Sequence, residues 1–221
     1  MFKDSQGNIW VCDTGNHRII SLEEEVTNIR SEISMKDIVP DRYGQWSPIS
    51  GTVLDGRFYL VLKKYDFHYD NKLITFRPER PNESFQSIDL KEKLNIIGIS
   101  AHKNYLLLCT TKPSMILKYE LKSRATTTLY HSALPNPFIN VAAMKTCVYM
   151  NQWKFLSKIT TQGKHLYTID MSLLTGKADN TIVNITIGAL TDYTSSLLAT
   201  DCSNRCIHNF SIGGCKDNTS G

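Results

Sequence analysis

Short apolar runs separated by polar turns recur along the whole chain. Ile9-Trp10-Val11-Cys12 is followed by a polar loop and then Ile19-Ile20. Phe58-Tyr59-Leu60-Val61-Leu62 is followed by Leu73-Ile74-Thr75-Phe76, and Tyr105-Leu106-Leu107-Leu108-Cys109 by Met115-Ile116-Leu117. Cys147-Val148-Tyr149-Met150 precedes Leu156 and Ile159, and Leu197-Leu198-Ala199 precedes Ile207. Each unit reads as a polar turn, a short strand, a polar loop and a second strand, which predicts hairpins. An isolated hairpin is marginal in water, so repeated ones must pack face to face. Helix signals are thin: one short turn within Leu22–Asp37, where the periodicity is mixed, and one at Leu90–Leu94.

The units share a motif. Asp13, Asn16 and Ile19 match Asp201, Asn204 and Ile207 in the pattern Asp-x-x-Asn-x-x-Ile. Their offset divides into four steps of about 47 residues, the spacing of repeat architectures, with three weaker copies between. Gly7 and Gly56 suit the positive φ of tight hairpin turns. An Asp opening the second loop can accept backbone N–H bonds, and an Asn three residues on can take the left-handed conformation. Asp13, Asn16, Asp201 and Asn204 are therefore read first as structural.

The segment Asp13-Thr14-Gly15-Asn16-His17-Arg18-Ile19 resembles the NHL repeat, and through it the propellers of tripartite-motif NHL proteins. The resemblance implies an all-β fold: a β-propeller of about five recognisable four-stranded blades, against six typical of that family. It would span residues 1–213, beginning inside a repeat, with 214–221 as a flexible tail. No RING, B-box or coiled-coil segment accompanies it, so ubiquitin-ligase activity is not implied.

Composition adds bounds. The 221 residues carry 41% hydrophobic and 21% charged residues and a net charge of +4, ordinary for a globular protein and too small an excess to identify a nucleic-acid binder. No apolar run reaches the 18–20 residues a membrane helix needs. Met1-Phe2-Lys3-Asp4 reads as a charged turn rather than a signal peptide, so a cytoplasmic location without membrane contact is expected. Cys12, Cys109 and Cys147 sit in apolar runs and read as buried thiols. Cys202, Cys206 and Cys215 cluster near His208 without a CxxC pair, too little for a zinc site.

Antiparallel blades place the loops between second and third strands on one face. Those loops carry His17, Arg18, Lys63, Lys64, His68, Lys112, Trp153, Lys154 and Arg205, with aromatic residues interleaved. Cations with aromatic faces suit a single-stranded RNA or an acidic protein segment. The longest loop, 63–71, is the foremost contact candidate. There is no GxSxG, HExxH or phosphate-cradling Gly-rich loop, so a non-catalytic scaffold without cofactor is the expectation. Two alternatives stand beside it. One is a propeller hydrolase or lyase with a channel metal held by Asp4, Asp192 or Asn140. The other is a secreted propeller glycosylated at Asn82, Asn184, Asn209 and Asn218.

Overall fold

The computed structural model describes residues 1–22, 28–39, 46–64, 71–90, 94–132, 137–144, 146–175, 182–189, 194–201 and 206–213. They form five antiparallel sheets. Blade 1 holds β1 (Phe2–Lys3), β2 (Ile9–Asp13), β3 (Arg18–Leu22) and β4 (Ile29–Ser34), followed by the helical turn α1 (Met35–Ile38). Blade 2 holds β5 (Trp46–Leu54), β6 (Arg57–Lys64) and β7 (Asn71–Phe76), then α2 (Pro81–Ser84) and β8 (Gln86–Ile88). Blade 3 holds β9 (Ile96–His102), β10 (Tyr105–Thr111), β11 (Ser114–Glu120) and β12 (Thr126–His131). Blade 4 holds β13 (Asn140–Ala143), β14 (Cys147–Gln152), β15 (Phe155–Thr160) and β16 (His165–Asp170), followed by α3 (Met171–Thr175). A fifth sheet has three strands, β17 (Ile182–Ala189), β18 (Thr194–Asp201) and β19 (Cys206–Gly213).

The chain is therefore an all-β propeller, and the expected blade count is corrected. Four sheets are complete four-stranded blades, the fifth has three strands, and the described residues supply no sixth. Blade 1 opens on a two-residue strand, Phe2 pairing with Trp10 and Lys3 with Ile9. The helical turn expected within 22–37 falls at its end, as α1. The one expected at Leu90–Leu94, like the tail at 214–221, involves residues outside the described ones.

Alternation along the second strands explains their uninterrupted apolar runs. In β6, Phe58, Leu60 and Leu62 pack towards blade 1, against Phe2, Trp10 and Ile19, with Trp46 of β5 in the same cluster. The intervening Tyr59 and Val61 pack towards blade 3 with Ile99, Leu106 and Leu108. In β10, Leu106 and Leu108 face blade 2, while Tyr105, Leu107 and Cys109 face blade 4 with Val141, Val148 and Met150. A strand buried on both faces needs apolar residues at every position. Each such side chain contributes roughly 1.5–3 kcal/mol by leaving water.

The innermost strands meet one another: β5 packs on β9, β9 on β13, and β13 on β17. Among the described residues their inner edges have no further strand to pair with, and hydroxyls of the preceding blade take over. Ser50 Oγ accepts the N–H of Ile99 at 3.2 Å, and Thr52 Oγ1 that of Ala101 at 3.0 Å. Satisfying these edge donors sets how far one blade can slide on the next.

Candidate functional site

The motif loop is built from the inside of its own turn. Residues Thr14–Asn16 form one 3-10 turn, and His17 closes it at φ 55°. The left-handed position thus falls on His17 rather than on Asn16, because the tight turn already uses Asn16. Asn16 Nδ2 instead donates to both carboxylate oxygens of Asp13 at 3.0 Å. Asp13 also accepts from Arg18 Nε at 2.8 Å. The Arg18 bond, with help from Asn16, holds the Asp13 carboxyl below its ordinary range. Asp13 therefore receives side-chain donors here, where backbone donors were expected.

The same loop ties blade 1 to blade 2. Thr14 Oγ1 donates to the Pro48 carbonyl at 2.8 Å, and His17 Nδ1 lies 2.6 Å from the hydroxyl of the buried Ser47. The His17 carbonyl accepts the Met35 N–H at 2.9 Å, fixing the start of α1. Thr14 and His17 thus belong to the blade seam, while Asp13 and Asn16 brace the loop that carries them.

Beside this seam lies a groove of about 530 Å³ lined by Asn16, His17, Arg18, Glu32, Lys36 and Trp46, among others. Arg18 is held by carboxylates on two sides, Asp13 at 2.8 Å and Glu32 at 2.6 Å. Trp46 is buried, with Lys72 Nζ 4.5 Å and Lys64 Nζ 5.8 Å from its ring centroid. Each ammonium interacts with the negative face of the indole. Trp46 lies opposite Lys64 in the β5–β6 register. In the sequence Trp46 stands as a lone tryptophan and carries no sign of the lysines it meets in the fold.

The other expected residues are spread around the same face. Lys63, at the end of β6, and Lys112, in the β10–β11 turn, are exposed. Trp153 is 49% exposed in the turn between β14 and β15, with φ 54°. Lys154 pairs with Asp170 at 3.0 Å and lies 5.4 Å from the Phe155 ring centroid. Asp170 also accepts from Ser172, and these bonds hold its carboxyl at about 2. His68 and Arg205 lie outside the described residues, as does most of the 63–71 loop. The structure thus groups His17, Arg18 and Lys64 around one groove and places Lys112, Trp153 and Lys154 on later blades.

Asp4, expected as a channel metal ligand, is committed to its hairpin. Its carboxylate accepts from the N–H groups of Gln6 and Asn8, the Asn8 amide and the Trp10 indole, all at 2.9 Å. Burial pulls this carboxyl upward, but the indole and amide bonds outweigh it and hold it below the ordinary value. Asn140 Oδ1 accepts the Val141 N–H at 2.8 Å, and Asp192 lies outside the described residues. Among the described residues no three His, Cys, Asp or Glu side chains gather as a metal site. Of the four sequons, Asn82 is exposed in α2.

The NHL-repeat family model matches residues 4–20, the stretch that builds the first hairpin and the motif loop. No curated protein matches the chain by sequence. Solved structures match its fold. The glutaminyl cyclase of Myxococcus xanthus is similar at TM-score 0.65 and 13% identity, over 94% of this chain and 88% of that one. XC5397 of Xanthomonas campestris, a gluconolactonase, is similar at 0.66 and 11%, over 90% and 67%. YCF48 bound to D1 peptide is similar at 0.54 and 11%, over 99% and 67%. The chain is a β-propeller that carries an NHL repeat at residues 4–20; the structural likenesses, all of low identity, speak for the fold alone.

Proposed function

We propose that this NHL-repeat propeller is a non-catalytic binding module whose loop face holds an extended acidic protein segment. The carrying observation is the blade 1–blade 2 groove. Arg18 and Lys36 line it, and Lys64 and Lys72 stand against its Trp46, beside the acidic Asp13, Glu32 and Asp37. A cationic rim steers an acidic partner and fixes its register.

Protein is favoured over single-stranded RNA by the state of the aromatic residues. Base stacking needs an open ring face. Trp46 is buried beside two ammonium groups, and the His17 ring is tied to Ser47. Trp153 on blade 4 is open, and suits an apolar anchor of the same segment. YCF48, a propeller of related fold, was solved with a peptide bound.

An enzymatic propeller is the second reading, supported by the cyclase and the lactonase among the fold neighbours. Against it stands the full commitment of Asp4 to its hairpin.

The test titrates a fluorescent oligoglutamate peptide and a random single-stranded RNA pool at low and moderate salt. Binding of the peptide, weakened at least tenfold in the triple variant Lys36→Ala/Lys64→Ala/Lys72→Ala, is expected. Tight RNA binding without peptide binding would overturn the reading. So would turnover of a glutamine-initiated peptide or an aldonolactone by the unmodified chain.

A further inference from the structure

We propose that the groove between blades 2 and 3, on the face opposite the loops discussed above, binds a doubly charged oxyanion of the phosphate type. The groove has a volume of about 340 Å³ and is lined by Arg57, Tyr59, Thr75, Asp89, Tyr119 and Arg124, among others. Its walls come from the start of β6, the ends of β7 and β11, and the turn after β11.

The first argument is charge. Neither guanidinium is in an ion pair among the described residues. Arg57 Nε donates to Thr75 Oγ1 at 3.1 Å and its Nη2 to the Ser84 carbonyl at 2.8 Å. Both acceptors are neutral, so they orient the fork and leave its charge and its Nη1 donors to the groove. Arg124 is exposed, with φ 55°, and its backbone N–H donates to the Glu120 carbonyl at 2.8 Å. The Glu120 carboxylate is occupied by Lys118 at 2.7 Å and by Ser123 at 3.2 Å. Asp89 is the acidic lining residue, one carboxylate against two guanidinium groups.

The second argument is the donor set. Tyr59 and Tyr119 are 5% and 3% exposed, close enough to influence each other, and both reach the groove. Burial raises both phenols above their ordinary value, so at neutral pH both keep the O–H. The buried Thr75 hydroxyl accepts the Arg57 Nε–H and lines the groove with the Tyr59 phenol, orienting this guanidinium there. Two guanidinium forks with neutral phenols make a donor-rich, acceptor-poor pocket, suited to a tetrahedral dianion. A carboxylate offers two oxygens and one charge, too few for both arginines.

The experiment is calorimetric titration of the chain with inorganic phosphate, and with phenyl phosphate, against acetate at matched ionic strength. Saturable phosphate binding is expected, with none for acetate. Tyr119→Phe and Arg124→Gln should each weaken it at least tenfold, whereas Arg80→Gln, outside the groove, should not. Phenyl phosphate binding as well as inorganic phosphate would assign the site to a phosphoryl group on a larger ligand. Inorganic phosphate alone would assign it to the free ion. Absence of saturable binding, or equal binding in Tyr119→Phe and Arg124→Gln with both variants folded, would overturn the proposal.

Discussion

The Ser100 hydroxyl accepts the backbone N–H of Ala143 at 2.9 Å, one blade further round than Ser50 accepts that of Ile99 at 3.2 Å. The same device therefore recurs at two successive seams. Both donors lie on innermost strands, where removal of the acceptor strands a backbone N–H. Leaving such a donor unmet costs about 1–3 kcal/mol. Ser50→Ala, at a buried position, should lose an amount in that range by urea unfolding. Ser100→Ala, less buried, should lose less because water can reach its donor. Equal, near-zero losses would mean that the hydroxyls do not hold the blades in register.

Trp10 anchors the first seam. It is 6% exposed, meets Phe58 edge-on at 5.0 Å between ring centroids, and donates its indole N–H to Asp4 at 2.9 Å. Trp10→Ala should cost about 3–5 kcal/mol, since a large aromatic side chain leaves a cavity that the sheets cannot collapse around. Trp10→Phe should recover part of this and leave Asp4 without one donor. Thermal and urea unfolding of the two variants check the order.

Asp170 links stability to acid. Its carboxyl stands at about 2 in the folded chain, held by Ser172 and Lys154, against about 3.9 for an unfolded aspartate. A lowered folded value stabilises the fold above the unfolded value, and that stabilisation is lost as pH falls towards the folded one. The melting temperature of the wild type should therefore exceed that of Asp170→Asn above pH 4, and the two should converge by about pH 2. A gap that widens on acidification would contradict the assignment.

The Cys12 and Cys109 thiols should be unreactive in the folded chain. Burial pushes the Cys12 thiol up to about 11 and the Cys109 thiol higher still. The thiolate is the reactive species. Iodoacetamide at pH 8 should leave both unmodified until denaturant is added, as read by intact mass and peptide mapping. Rapid labelling of Cys109 in the native protein would contradict its placement between blades 3 and 4.

The sequence by itself determined the local elements. Apolar runs bounded by Asp4–Gly7 and Asp55-Gly56 specify hairpins, and Gly7 and Gly56 do take positive φ, 92° and 69°. The near-constant spacing of those hairpins specified a repeat fold whose hairpins must pack face to face. These features depend on neighbours a few residues apart, so they are legible along the chain. Only the tertiary structure decided what the polar residues do. Arg18 and His17 look like open loop donors in sequence, yet Glu32 and Ser47, 14 and 30 residues away, take up their polar groups. Trp46 acquires Lys72 only when β5, β6 and β7 lie side by side. The Arg57–Arg124 groove needs two blades in contact. The physical reason is range: backbone conformation follows local sterics, whereas the charge and hydrogen-bonding state of a side chain depends on whatever the packing of distant strands brings within about 3 Å of it.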